Sequence, residues 1–296
     1  MLDKNGGTDL RDRVLVAGAS GCLGRHLVSE LKDRGYFVRA LGRDTSKLRA
    51  HCPRADEFVS LDLLKCDSVA TECSDVDFVV SCLGASVIPS VRNDRRSFSD
   101  IDVPANLKLL KAAEQAQIRR FVYVSVFADG RLQDNDFVRG HEQVVRHIRS
   151  SNLDYCIIRP TGFFSSLVRI MREPSMGLLP QCGNGDARTN PIHEADLAEF
   201  CADALCADGA GLEYNVGGPE ILSRRQISDL VHQSGPLGRT VTRVPVSTLR
   251  AGGLFLGPFN RRVSQLMTFI ADVLSDDFIA PEFGSRTLER YLASEA

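Results

Sequence analysis

Residues 14–24 read VLVAGASGCLG. An unbroken apolar run ends at Gly18, and glycine returns at Gly21 and Gly24. The run Val14–Ala17 predicts a strand covered on both faces. The next stretch, Cys22–Arg34, puts Leu23, Leu27, Val28 and Leu31 on one helical face and stops at Gly35, a residue suited to a helix end. Three glycines between a strand and a helix meet three physical needs at once. The chain reverses sharply out of the strand, the backbone approaches an anion where a Cβ would obstruct, and the helix offers free N–H groups and its positive dipole end. The spacing is G-x-x-G-x-x-G, and its setting points to the diphosphate of a dinucleotide. Gly18, Ser20, Gly21, Cys22, Leu23 and Gly24 are the expected contacts.

Outward from this turn, short apolar runs alternate with helical patterns as far as residue 160. Phe37–Leu41, Glu57–Leu61, Val76–Leu83, Phe121–Val126 and Tyr155–Ile158 read as further strands. A helix is expected over about Asp102–Gln115, with Leu107, Leu110 and Ala113 inward, and another over His141–Arg149. This is the pattern of an α/β fold, a doubly wound parallel sheet of the Rossmann kind, over about residues 10–160. Residues 161–296 are expected to form a smaller α/β part that covers a substrate and interleaves with the first. It would contain a strand near 178–182, a helix in EADLAEFCADAL, a strand in LEYNVGGPE, a helix capped by Ser223 and an amphipathic helix over 261–275.

The bulk numbers exclude several classes. With 43% apolar and 25% charged residues in a 296-residue chain, a large core can form. The formal net charge of -2 and the lack of a basic block give no indication of a nucleic-acid partner. No apolar run reaches the ~18 residues of a membrane span. The polar start MLDKNGGTDLRDR lacks the apolar centre of a signal peptide, so a soluble cytoplasmic protein is expected. Nine cysteines without a C-x-x-C pair support neither a disulfide framework nor a metal site.

The second strand ends in FVRALGRD. An NAD site usually carries an acid there for the ribose 2′-hydroxyl. Here Arg43 stands at the strand end, where a guanidinium suits a 2′-phosphate, and Asp44 precedes TSKL as a helix cap. NADP is therefore expected rather than NAD. After the third strand, Asp62 and the Leu63 backbone are placed to contact the adenine. At the end of the fourth, Cys82, Leu83 and Gly84 are placed where the backbone passes the cofactor.

The segments VLVAGASGCLGRHLVSEL, ALGRD, SLDL, FVYVS, SSNLDYCIIRPTGFF, NPIHEADLAEF and YNVGGPE, in this order, resemble the atypical short-chain dehydrogenase/reductase superfamily, in its NmrA-like branch. The resemblance covers most of residues 12–220. It implies NADP binding, and either reduction of a small organic substrate or redox sensing without turnover. It also implies four functional positions: an Asn on the fourth helix, a Ser near the fifth strand and a Tyr-x-x-x-Lys pair. In this chain they fall on Asp102, on Ser125 (Val126 in a one-residue shift), and on Phe137 and His141. Phe137 has no hydroxyl, and no tyrosine has a lysine four residues later: Tyr36, Tyr123, Tyr155, Tyr214 and Tyr291 are followed there by Ala40, Phe127, Arg159, Gly218 and Glu295.

Two readings stay open. In one, His141 takes the place of the ammonium, holds the nicotinamide ribose and supplies a proton, since imidazole titrates near neutrality. Ser125 orients the substrate, and an activated double bond needs less acid assistance than a ketone. In the other, the fold binds NADP as a regulator. Pro160, Gly162 and Phe163 follow the sixth strand as ring and substrate contacts, with 163–171 as a lid. Arg159 reads as an anchor. His193, Glu194 and Asp196 read as a helix start rather than a metal centre. The oligomeric state is left open.

Overall fold

A computed structural model describes residues 11–84, 96–128, 132, 135–172, 180–182, 184–234 and 242–295. Most of the polar start, and residues 178–179 of the expected strand, lie outside these.

Seven strands form one parallel sheet: β1 (Arg13–Ala17), β2 (Phe37–Gly42), β3 (Glu57–Ser60), β4 (Phe78–Ser81), β5 (Arg120–Val124), β6 (Tyr155–Pro160) and β9 (Leu212–Val216). Their order is β3-β2-β1-β4-β5-β6-β9, so the direction of winding reverses between β1 and β4. Strand β1 explains its own composition. Val14 and Val16 enter one core with Leu23, Leu27, Val28 and Leu31, while Leu15 and Ala17 enter a second core on the opposite face. A strand buried on both faces has no position for a polar residue, which is why the run is continuous. Helices α1 (Cys22–Asp33) and α7 (Glu194–Leu205) pack together on the first face, and α4 (Phe98–Ala116) and α5 (Asp136–Arg149) on the second. Each fully buried Leu of α1 contributes about 1.5–3 kcal/mol.

Strands β3, β4 and β5 end one or two residues before the sequence pattern suggests, β1 ends where expected, and β2 and β6 run on to Gly42 and Pro160. Helix α4 starts four residues earlier than expected because Ser97 caps it in a reciprocal box with Asp100. Its inward residue is Leu109, with Leu110 and Ala113; Leu107 is only partly buried.

Residues past 160 contribute α7 and the edge strand β9 to this frame. They also build two small sheets. The first joins β7 (Pro180–Cys182) to β11 (Thr242–Val244), and the second joins β8 (Arg188–Thr189) to β10 (Leu222–Ser223). Helices α6 (Phe164–Arg172), α8 (Arg224–Gln233) and α11 (Leu288–Ser294) share a core of Phe164, Val168, Ile227, Val231, Leu288 and Leu292. Ser223 caps α8. Helices α9 (Val246–Leu256) and α10 (Arg261–Ser275) form a hairpin, and α10 packs on α5. The expected stripe of α10 is buried at Leu266, whereas Val263, Met267, Ile270 and Leu274 are half-covered.

Candidate functional site: a dinucleotide cleft at the sheet's carboxyl edge

The glycine turn is fixed by its neighbours. Leu41 O of β2 accepts from both Gly18 N (3.0 Å) and Ala19 N (3.1 Å). The Cys52 thiol donates to Ala19 O, and the His51 ring meets Ser20 O at 3.0 Å. Gly18 has φ +79°, and a Cβ there would lie 2.8 Å from Cys82 O. At Gly24 a Cβ would lie 2.3 Å from Gly18 O. Both positions exclude every other residue. Gly21 is exposed and forms the N-cap of α1, which has no side-chain cap and no acid in its first turn. Its amide end is thus left for an anion. Cys22, half-buried here, has its thiol pushed up by burial and then by Glu194, so it stays protonated. Leu23 is buried in the α1 core.

The ends of β2, β3 and β4 adjoin this turn. The Asp44 carboxylate is occupied as the N-cap of α2 (Thr45–His51), accepting from Lys47 N at 3.1 Å. Arg43 beside it is exposed and makes no ion pair among the described residues. Asp62 accepts from Leu64 N at 3.1 Å in a local turn and Leu63 is buried, so one carboxylate oxygen of Asp62 is already used. Cys82 N donates to Ala17 O at 2.9 Å, and the Cys82 thiol is pushed up to about 12 by burial. Leu83 is half-buried and Gly84 exposed, with open space where its Cβ would stand.

Across the winding reversal the site is built from side chains. Ser125 continues the β5 ladder, donating its amide to Ile158 O at 2.8 Å. Its hydroxyl is buried and has no hydrogen-bond partner among the described residues. Two residues earlier, and by strand alternation on the same face, the Tyr123 hydroxyl meets Nδ1 of His141 at 2.9 Å. Both rings are buried. Burial pushes His141 down to about 4, so it is neutral at pH 7. This corrects the expectation of an imidazole that titrates near neutrality. Tyr123 is pushed well up, first by burial and then by Asp102, and keeps its proton. Asp102 is buried on α4, and its backbone carbonyl accepts from Asn106 Nδ2, whose Oδ1 accepts from the Ser81 hydroxyl at 2.6 Å. Sequence reasoning missed Ser81 and Asn106, and tested Tyr123 only for a following lysine. The alternation Tyr123–Ser125 was the available signal.

Phe137, which the resemblance aligns with the tyrosine, is a packing residue. Its ring meets Phe98 at 4.7 Å, Phe269 at 4.9 Å and His141 at 4.9 Å, all edge-on. Pro160 ends β6 in the core. Gly162 has φ +149° and accepts from Ile192 N, with open space on its Cβ side. Phe163 bridges Ile192 and is half-buried. Segment 163–171, expected as a lid, is largely the packed helix α6, and Glu194 accepts from Ser165 N at its start. His193 caps α7 through Ala195 N, and Asp196 accepts from Ser285 N and Arg286 N. Arg159 is buried between Glu142 (3.3 Å) and Glu213 (2.7 Å) and anchors α5 to β9.

The strand order, the uncapped helix above the glycine turn and the clustering at the strand carboxyl ends define a Rossmann dinucleotide-binding protein. The chain belongs to the NAD(P)H-binding family, whose pattern matches residues 18–208, and falls among the atypical short-chain dehydrogenase/reductases. It is 30% identical to a chloroplastic divinyl chlorophyllide a 8-vinyl-reductase of Oryza sativa subsp. indica, over 96% of this chain and 70% of that one. It is 24% identical to the photosystem II assembly factor Ycf39 of Synechocystis, over 84% of this chain and 74% of that one. A nucleoside-diphosphate-sugar epimerase from Staphylococcus aureus shares the fold, with a TM-score of 0.68 and 18% identity over 95% of this chain and 99% of that one. The UDP-glucose 4-epimerase of Thermus thermophilus, in complex with NAD, gives a TM-score of 0.61 and 22% identity over 79% and 86%. The described residues contain no helix long and apolar enough to cross a membrane.

Proposed function

We propose that the chain is an NADP-dependent reductase of a small organic substrate with an activated carbon–carbon double bond. The observation that carries this reading is the buried, unpartnered Ser125 hydroxyl beside the Tyr123–His141 pair. A polar atom in that state costs about 1–3 kcal/mol unless a ligand satisfies it. When bound, the reduced nicotinamide supplies a hydride.

The chain's own groups then divide the remaining work. Gly18, Gly21, Gly24 and the amides of Cys22 and Leu23 hold the diphosphate. Arg43 pairs with a 2′-phosphate, for which Asp44, engaged as a cap, offers no competing hydroxyl contact. Asp62, Leu63, Cys82, Leu83 and Gly84 line the adenine and ribose path, and Pro160, Gly162 and Phe163 close the nicotinamide end. The Tyr123 phenol donates to Nδ1 of His141 and so leaves the proton of the neutral ring on Nε2, as a donor toward a ribose hydroxyl. His141 is thus a holder of the cofactor rather than an acid.

With Phe137 at the tyrosine position, the site has no acid of ordinary strength there. Reduction of a conjugated double bond fits that lack, because the charge left by hydride addition is delocalised and solvent can protonate the second carbon. The vinyl-reductase relative, at 30% identity, supports the same substrate class. The packing of Phe137 favours a second reading, a cofactor-binding regulator.

Calorimetry with NADPH and NADH, followed by NADPH oxidation across conjugated enones, quinones and vinyl-substituted rings, separates them. A reductase binds NADPH more tightly and turns over at least one class. Stoichiometric binding without turnover in any class leaves the regulator. No heat from either nucleotide sinks both.

A further inference from the structure

The helical hairpin α9–α10 carries a surface that the dinucleotide cleft does not use. Gly252 and Gly253 let the two helices approach closely: a Cβ at Gly252 would lie 2.9 Å from Met267 Cε, and one at Gly253 would lie 3.3 Å from Ser264 O. Asn260 caps α10 through Val263 N at 3.1 Å, so the connection is a short, built turn. Three large apolar side chains are exposed here, two on the last turn of α9 and one on the connection. Leu254 and Phe255 are each 74% exposed and Phe259 is 64% exposed, and the two rings lie 6.1 Å apart. Isolated exposed apolar residues are ordinary, but three within six residues mark an interaction site.

The occupant follows from charge and area. From residue 230 to 271 the sequence contains no Asp or Glu and five arginines, in a chain that has 38 acidic residues among 296. Of the arginines nearest the tip, Arg250 pairs with Asp272 at 2.9 Å, Arg262 lies over the Phe98 ring, and Arg261 is exposed. The tip therefore meets an approaching surface as an apolar wedge with one exposed arginine, Arg261, beside it and no acid in the hairpin sequence before Asp272. Its apolar area is about 400 Å², taking roughly 150–250 Å² for a whole aromatic side chain. A stable protein interface buries about 800 Å² on each partner. The wedge is too small to hold a second copy of the chain, but its chemistry matches an anionic lipid surface, where leucine and phenylalanine insert at the headgroup boundary beside arginine.

We propose that the α9–α10 turn is an interfacial anchor by which this protein docks, without spanning, on bilayers that carry anionic lipid. Flotation of the full chain with vesicles of phosphatidylcholine, alone or mixed with phosphatidylglycerol, tests it. The protein should float with the mixed vesicles and much less with the neutral ones. The triple variant Leu254→Ser, Phe255→Ser, Phe259→Ser should lose this association by about a hundredfold while keeping its melting temperature, since all three side chains are exposed. Arg261→Gln should weaken it less. The chain has no tryptophan, so Phe255→Trp gives a single emitter whose spectrum should shift to the blue on mixed vesicles. Absence of flotation at either composition, equal flotation of the triple variant, or an unshifted spectrum overturns the proposal. So does a dimer in sedimentation that the triple variant abolishes, which would assign the tip to a second copy.

Discussion

The two halves of the sheet's carboxyl edge are built by opposite means. At β1 and α1 the site is made by removing side chains: Gly18 and Gly24 each lie where a Cβ would collide with main-chain atoms. At β5 and α5 it is made by burying side chains: the Ser125 hydroxyl, the Tyr123–His141 pair and the Phe137 ring. The first half tolerates almost no substitution. The second rests on side-chain packing, and the resemblance aligns its Phe137 and His141 with a Tyr-x-x-x-Lys pair.

Gly24→Ala should break the first half outright. The added methyl would stand 2.3 Å from Gly18 O and 2.7 Å from Ala19 backbone atoms, none of which can move without opening the turn. A loss of about 3 kcal/mol or more is expected, with NADPH binding abolished, read by urea unfolding and calorimetry. Gly84→Ala, at the same edge but with open space around it, should change stability by less than about 0.5 kcal/mol. Equal effects in the two variants would remove the contrast.

The second half should reveal itself through pH. His141 titrates at about 4 in the fold against about 6.5 in the unfolded chain, because burial disfavours its charged form. Below 6.5 the unfolded chain takes up a proton that the native state does not. Stability held above 6.5 is therefore lost as the pH falls toward 4. For this group alone the loss between pH 6.5 and 5 is about 2 kcal/mol. His26, partly buried and also lowered to about 4, acts in the same direction. Urea midpoints measured across that window should flatten in His141→Asn relative to the parent chain. An unchanged slope would mean that the ring is not buried as described.

Arg43→Ala concerns the border between the halves and should have a smaller effect. It removes the exposed cation that follows β2, and should lower the preference for NADPH over NADH by about tenfold while leaving stability within about 0.5 kcal/mol. A preference that survives the substitution would move 2′-phosphate recognition to another residue.

This contrast also sets what the sequence made legible. The β1 turn can be read from a dozen residues because its constraint is local and steric, and glycine is the answer whenever a backbone atom occupies the Cβ position. The same holds for the Asp44 cap and the apolar periodicity of α1. The Tyr123–His141 contact joins residues 18 apart on a strand and a helix. The burial that neutralises His141 depends on tertiary packing around α5, including Phe98 and Phe269 from other elements. No spacing rule announces either. The close approach of α9 to α10, set by Gly252 and Gly253, was likewise invisible as periodicity, and α9 was missed as a helix.

Phe137→Tyr isolates the chemistry of the second half with the least disturbance. The ring is packed edge-on among Phe98, His141 and Phe269, so the variant adds one oxygen to an otherwise unchanged site. If the reductase works by delocalising charge in a conjugated substrate, a restored phenol meets diffuse charge spread over the conjugated system rather than a localised alkoxide. The rate of NADPH oxidation should then stay within about threefold of the parent. A simple ketone would respond differently, because its reduction creates an alkoxide that an acid stabilises. A large gain confined to ketones would show that the cleft retains carbonyl-reductase geometry and lost only the acid. A large gain on double bonds would show that the second hydrogen comes from the residue 137 position, and would return the general acid to the place where the resemblance first put it.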